Sequence, residues 1–304
     1  HVLTHSFPTR RSSDLEFLPN AERRWNTPRY FHKQSSLAKT ILAAGGLQPV
    51  DLVALCEVEN DSVMHFLCRR TRLARLGYEY IVTHSADRRG IDVALLYQPE
   101  TFALLHSETY RVPYDSLRER PTRDLLHAAG RLPFGDTLDV FVVHFPSRRG
   151  GATISEPYRL RAAGILRHLA DSIARCRHTP RLLAMGDFND EPHNASVSRV
   201  LAPTFAELTS HATPLPAEGH DDIEGSYYFR GEWSRIDQIL VSPTLLSPTM
   251  KFHTTLQSIH LLAFPPLLET LGRGTLSKPF RTYLGPFYHG GISDHLPLCI
   301  DFSY

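Results

Sequence analysis

Five apolar runs in this chain break on, or are broken by, acids, amides or histidines. Leu52 to Cys56 gives way to Glu57, Val140 to Val143 ends on His144, and Leu182 to Met185 runs into Gly186, Asp187 and Asn189. Asp237 interrupts Ile236 to Val241, and Ser293, Asp294 and His295 stand before Leu296 to Phe302. Short apolar runs bounded by turn residues read as buried strands. Acids, amides and imidazoles are costly to bury without partners. The pattern therefore predicts strands whose polar ends meet at one rim of a sheet, although they lie far apart in sequence.

The rest of the chain alternates element types. Leu37 to Ala44 fits a helix stopped by Gly45 and Gly46. Ser62 to Leu76 fits a second helix closed by Gly77, and Pro157 to Ala174 a long amphipathic third. Tyr78 to Thr83 and Ile91 to Tyr97 read as strands, joined by a polar turn at Ser85 to Gly90. Strands and helices mix without a strict βαβ repeat or an internal period, which gives an α/β (α+β) class and excludes a solenoid. The segments 201–226 and 258–291 read as loops rich in Pro and Gly, where specificity is commonly carried.

Composition narrows the function classes. With 304 residues, 42% of them hydrophobic, one large domain is affordable. The net charge of +1 argues against a protein that coats long nucleic acid, despite Arg pairs at 69–70, 88–89 and 148–149. Cys56, Cys68, Cys176 and Cys299 show no CxxC spacing and read as free thiols rather than a zinc site or disulfides. No apolar run reaches the roughly 18 residues of a membrane helix.

Residues 1–15 stand apart. His5 to Leu15 resembles the in-frame translation of a sequencing-library adapter. This segment is expected to be adapter-derived or a disordered tail, leaving residues 16–304 as a single domain without its native first strand. Localisation is not readable from such a chain.

Each strand-end residue has a bland reading and a chemical one. Glu57 is a solvated glutamate or a hard-cation ligand. His144, before an Arg- and Gly-rich loop, is structural or a donor to a phosphate oxygen, with Arg148 or Arg149 as a phosphate clamp. Asp187 and Asn189, two apart on an extended segment, can point the same way. The acid can orient water and the amide can donate to an anionic transition state. Asp190 and Glu191 read as turn residues, and Glu59, Asn60 and Asp61 as helix caps. Asp237 either pairs with Arg235 or holds a catalytic histidine in its tautomer. His295 is the candidate general base and Asp294 a metal-side ligand. Together these groups suit divalent-metal-assisted hydrolysis of a phosphate ester.

At this point the chain resembles the endonuclease/exonuclease/phosphatase superfamily, from about Phe17 to Phe302. The resemblance rests on Cys56-Glu57-Val58-Glu59-Asn60, Gly186-Asp187-Phe188-Asn189, Arg235-Ile236-Asp237 and Ser293-Asp294-His295. It implies a four-layer sandwich of two mixed, mainly antiparallel sheets flanked by helices. It implies Mg²⁺, with Mn²⁺ as an alternative, at Glu57 and Asp294. Catalytic roles fall to His144, Asp187, Asn189, Asp237 and His295, and substrate contacts to Arg148 and Asn189. In the branch that places a histidine at His144, that residue has an acidic partner, here Asp92. The superfamily's first strand ends in an Asn that helps hold the metal, and Asn20 and Asn26 do not replace it. A less stable, less active chain than its intact parent is expected.

Three functions follow from that resemblance. The first is a metal-dependent phosphodiesterase or nuclease, acting on nucleic acid as a monomer. The second is a phosphoesterase of a small or lipid-linked phosphate, such as an inositol phosphate or sphingomyelin. The third is an inactive or binding-only remnant. Tyr227, Tyr228, Phe229, Trp233, Tyr283, Phe287 and Tyr288 are candidates for base stacking or for packing.

Overall fold

Alternation along the strands sorts the molecule into layers. The computed structural model describes residues 2–6, 20, 22–114, 121–148, 150–216, 219, 222–271 and 276–304. In chain order the elements are β1 (Val2–Ser6), α1 (Thr27–Gly45), β2 (Leu52–Val58), α2 (Asp61–Arg70), β3 (Glu79–Val82), β4 (Asp92–Tyr97), β5 (Ala103–Tyr110), β6 (Leu125–Arg131) and β7 (Thr137–His144). Then come α3 (Ala152–Cys176), β8 (Leu182–Asp187), β9 (Ala206–Glu207), β10 (Thr213–Leu215), β11 (Tyr227–Phe229), β12 (Glu232–Ser234), β13 (Asp237–Val241) and β14 (Ile259–Leu262). Two hairpins, β15 (Leu268–Leu271) with β16 (Leu276–Pro279) and β17 (Tyr283–Leu284) with β18 (Phe287–Tyr288), precede β19 (Leu298–Ile300).

A seven-stranded sheet has the order β10-β14-β19-β1-β2-β4-β3, and a six-stranded sheet the order β5-β6-β7-β8-β13-β9. Pairing is antiparallel except for β1 with β2, β10 with β14 and β7 with β8. On β7, Leu138, Val140 and Val142 share one buried cluster with Val53 and Leu55 of β2 and Leu37 and Ile41 of α1. Phe141 and Val143 join a second cluster with Ala162, Ala163 and Leu166 of α3. The order of layers is thus α1 and α2, the seven-stranded sheet, the six-stranded sheet, then α3. Each fully buried Val, Leu or Phe contributes roughly 1.5–3 kcal/mol. β4 is buried along its whole length, so it reads as a continuous apolar run.

Local signals explain the helix starts. Asn26 Oδ1 accepts from Arg29 N at 3.2 Å and Pro28 occupies the first turn, so α1 begins at Thr27 rather than at Leu37. Asn60 caps α2 through Val63 N at 3.1 Å. The expected helix from Ser62 to Leu76 is split, because Thr71 is extended and a separate 3₁₀ turn covers Arg72–Arg75. None of the described helices is long and apolar enough to cross a membrane.

Where the native first strand was expected to be missing, the described residues place a strand in the seven-stranded sheet. Val2–Ser6 occupies that place, antiparallel to β19 and parallel to β2, with His5 opposite Leu55 and Ser6 opposite Cys56. A strand lying between two others is held by backbone hydrogen bonds, so its side-chain origin matters little to pairing. Residues 7–19, most of the segment that was set aside, lie outside the described residues.

Candidate active site

Three of the polar strand ends line up in one row. β7 runs parallel to β8 with His144 opposite Asp187, and β13 runs antiparallel to β8 with Asp237 opposite Asp187. Gly186 permits this row. Its φ is +139°, and a Cβ there would lie 2.0 Å from Val143 O. The facing sheet contributes Glu57 and the loop before β19 contributes Asp294 and His295.

His295 Nδ1 lies 2.7 Å from Asp237 Oδ2, which also accepts from Ser226 Oγ at 2.5 Å. Arg235, the other candidate partner of Asp237, donates instead to the backbone oxygens of Thr209, Ser210 and Glu224. Burial alone would push the His295 pKa down, but the Asp237 carboxylate, then Asp294 and Asp187, hold it well above the ordinary value. Burial and the Asp237 charge raise the Asp187 carboxyl to about 7. The Asp187 carboxyl can thus exchange a proton near neutral pH.

Asn189 is turned inward. Its Nδ2 donates to Asp187 Oδ2 at 3.1 Å and to Phe145 O at 3.0 Å, while its backbone N donates to Asp187 Oδ1 at 2.8 Å. His144 Nε2 lies 3.3 Å from Asp187 Oδ2. Burial, then Arg123 and Arg89, push the His144 pKa well down, so the ring is neutral. Asn189 and His144 therefore clamp the carboxylate of Asp187.

Two sequence expectations change. Asp92 does not serve His144, because its carboxylate accepts from Thr83 Oγ1 at 3.0 Å and Ser85 N at 2.6 Å. β4 and β7 lie in different sheets, which puts Asp92 among its own strand's neighbours. Arg148 is not an open phosphate clamp. Its Nε donates to Asn189 O at 2.7 Å and its Nη2 to Asn194 Oδ1 at 2.7 Å, so it braces the loop carrying Asn189. Arg149 lies outside the described residues.

Glu57 sits on a β-bulge between Cys56 and Val58 with φ +58°, a conformation that turns its side chain out of the strand. Burial raises its pKa, and Arg89 Nη1 at 3.5 Å from Oε1 opposes that. Asp294 is half-buried, and its charge raises the Glu57 pKa further. Buried Lys33 of α1 reaches the same corner. Its Nζ donates to Ile292 O and to Thr282 Oγ1, the latter at 3.1 Å. Burial lowers its pKa to about 7 against the pull of Asp294 and Glu57. Among the described residues no group of three or more His, Cys, Asp or Glu side chains converges as a metal cage. Two carboxylates of like charge are nevertheless the donor set that Mg²⁺ takes, with water and substrate phosphate completing its shell. The residues fit such an ion.

Two residues of this region, Arg159 and Arg123, escaped the sequence reading, and a third, Asp190, has another role than expected. Arg159 of α3 and Asp190 form a buried ion pair at 2.7 Å, and Asp190 accepts from Ser196 Oγ at 2.7 Å. Asp190 is therefore an anchor of the Asp187 loop rather than a turn residue. Arg123, also buried, donates to Phe145 O and lies 3.3 Å from Asp87 Oδ2. Only the Asp-Arg-Arg-Gly run at 87–90 hinted at this cluster.

The sequence profile of the Endonuclease/Exonuclease/phosphatase family matches residues 4–303. The chain belongs to that family. Membership of the endonuclease/exonuclease/phosphatase family makes it a hydrolytic phosphoesterase in general terms. Solved structures share the fold at low identity. A mannosyl-6-phosphatase, Bt3783 of Bacteroides thetaiotaomicron VPI-5482, is 14% identical with TM-score 0.65, over 100% of this chain and 99% of that one. D. rerio TDP2 complexed with single strand DNA product is 15% identical with TM-score 0.60, over 100% and 98%. The human Nocturnin catalytic domain is 19% identical with TM-score 0.58, over 90% and 86%. At the level of sequence, no curated protein matches the chain.

Proposed function

We propose that this protein is a divalent-metal-assisted phosphodiesterase whose substrate is nucleic acid. The observation that carries the reading is the row of His144, Asp187 and Asp237, with His295 on Asp237 at 2.7 Å and Glu57 within reach of the charges of Asp294 and His295. Glu57 and Asp294 would hold Mg²⁺ or Mn²⁺, which would supply positive charge against the phosphate oxygens.

The chain's own groups supply the rest. Asp237 and Ser226 fix the His295 ring through Nδ1, leaving Nε2 to move a proton at the reacting water or the leaving oxygen. Asp187, held by Asn189 and His144, orients the attacking water and shares its proton. Asn189 and His144 act through Asp187. The net charge of +1 leaves open an alternative substrate, a compact phosphate ester such as the sugar phosphate in the name of the mannosyl-6-phosphatase Bt3783.

A substrate panel decides. Supercoiled DNA, abasic DNA, RNA, inositol phosphates and sphingomyelin are assayed with Mg²⁺ and with EDTA. The reading expects a nucleic acid to be cleaved fastest, steeply slower with added salt and not at all in EDTA. Turnover of only a small phosphate would replace the substrate. Cleavage surviving in EDTA, or no turnover of any substrate, would reject the metal-assisted enzyme.

A further inference from the structure

Beside the catalytic row lies a cleft of about 450 Å³ that its residues do not line. It is lined by the β3–β4 turn, by Val112, Tyr114 and Thr122 ahead of β6, by Pro146 and Ser147 after β7 and by the start of α3. Among the described residues its charged lining is Arg88, Arg89, Arg123 and Arg161 against Asp87. Ile154, an exposed large apolar side chain, and Tyr158 form an apolar wall. The volume suits a small ligand or one end of a larger one.

Two observations direct the cleft toward the reaction centre. Arg123 and Asn189 donate to the same oxygen, Phe145 O, and Arg89 reaches Glu57 at 3.5 Å. The cleft therefore begins where the catalytic row ends. Its polar lining is also incompletely satisfied. Arg123 is 4% exposed, and among the described residues its Nε has no hydrogen-bond partner; nor has the buried Thr122 Oγ1. Buried donors of this kind favour an anionic acceptor. Arg88, in the lining of the same cleft, is exposed.

We propose that this arginine cleft binds a second phosphate of the substrate, next to the phosphate that is cleaved. Resting on the phosphoesterase reading, it narrows the substrate class to esters that carry two phosphates. The shared chemistry is a tetrahedral phosphate anion bearing an organic group, which the Ile154 and Tyr158 wall would contact. A nucleic acid strand offers it through the neighbouring phosphate, and a compact sugar bisphosphate offers it through its second ester. Guanidinium groups suit either, because their donors match phosphate geometry.

Calorimetric titration tests the cleft without relying on turnover. One arm compares thymidylyl-thymidine with its 5′-phosphorylated form; the other compares fructose 6-phosphate with fructose 1,6-bisphosphate. In at least one arm the extra phosphate should tighten binding on the order of tenfold. Arg88→Ala with Arg161→Ala should erase that difference. Arg88→Ala alone, at an exposed position, should reduce it and guards against misfolding of the double variant. A strand substrate gives the contrast in the first arm and a sugar bisphosphate in the second. Equal affinities in both arms, or a preference that survives both substitutions, overturns the proposal. Hydrolysis of bis(p-nitrophenyl) phosphate is followed in parallel. The binding contrast without hydrolysis supports the cleft and rejects the catalytic reading. Hydrolysis without the contrast does the reverse.

Discussion

Asp187 and Asp237 are direct cross-strand partners on β8 and β13, two carboxylates facing each other in a buried ladder. Like charges so placed destabilise a sheet, and they persist here because His295 and Ser226 serve one while Asn189 and His144 serve the other.

That pairing makes stability depend on pH. The Asp187 pKa is raised from 3.8 to about 7, chiefly by burial. Below the ordinary value both folded and unfolded chains hold this proton. Between the two values the unfolded chain ionises first, so the contribution is lost as pH rises and is gone above about 7. Asp187→Asn should therefore abolish activity yet melt roughly 2–4 °C above the wild type at about pH 8, with a smaller gain at about pH 5. Scanning fluorimetry at both pH values measures this; a gain independent of pH contradicts it.

Arg148 braces the loop of Asn189 through Nε and Nη2. Arg148→Ala should thus lower kcat, on the order of tenfold, and leave KM nearly unchanged. A raised KM with full kcat would restore the phosphate clamp that its sequence position suggests.

The Arg159–Asp190 pair is buried on both sides. Arg159→Met removes the closer of two cations from Asp190, leaving Arg148 Nη2 at 3.5 Å, and should cost about 3 kcal/mol in urea unfolding. Arg159→Met with Asp190→Asn should recover most of that loss. Equal losses in the single and double variants would show that the ion pair is not the cause.

Removing Glu57, one of the two proposed ligand carboxylates, tests the cation site. Glu57→Gln should raise the Mg²⁺ concentration for half-maximal activity on the order of tenfold, and should weaken the thermal shift that Mg²⁺ produces. Unchanged values for both would move the ion elsewhere.

Much of the fold was readable because apolar runs in buried strands are continuous. β2, β4, β7, β8 and β13 each carry such a run. The strand ends and their meeting at one rim follow from the cost of burying polar groups. β6 was silent, because Leu125-Leu-His-Ala-Ala-Gly-Arg131 has the composition of a helix or loop. Its strand conformation comes from packing: at Gly130 a Cβ would lie 2.4 Å from the Phe102 ring. β5 is an edge strand with mostly exposed side chains, so its alternation is faint. Arg159 falls inside the expected third helix and Arg123 falls in no expected element. Long-range ion pairs and carbonyl contacts leave no local spacing to read. The same holds for Asp92, whose partners are set by the turn at Thr83 and Ser85.

The most direct measurement is Mg²⁺-dependent hydrolysis of bis(p-nitrophenyl) phosphate by the wild type and by His295→Ala, with folding of both checked by circular dichroism. The account predicts hydrolysis that EDTA stops and that the substitution lowers by on the order of 10²–10⁴ in kcat. Equal rates in the two proteins would contradict it.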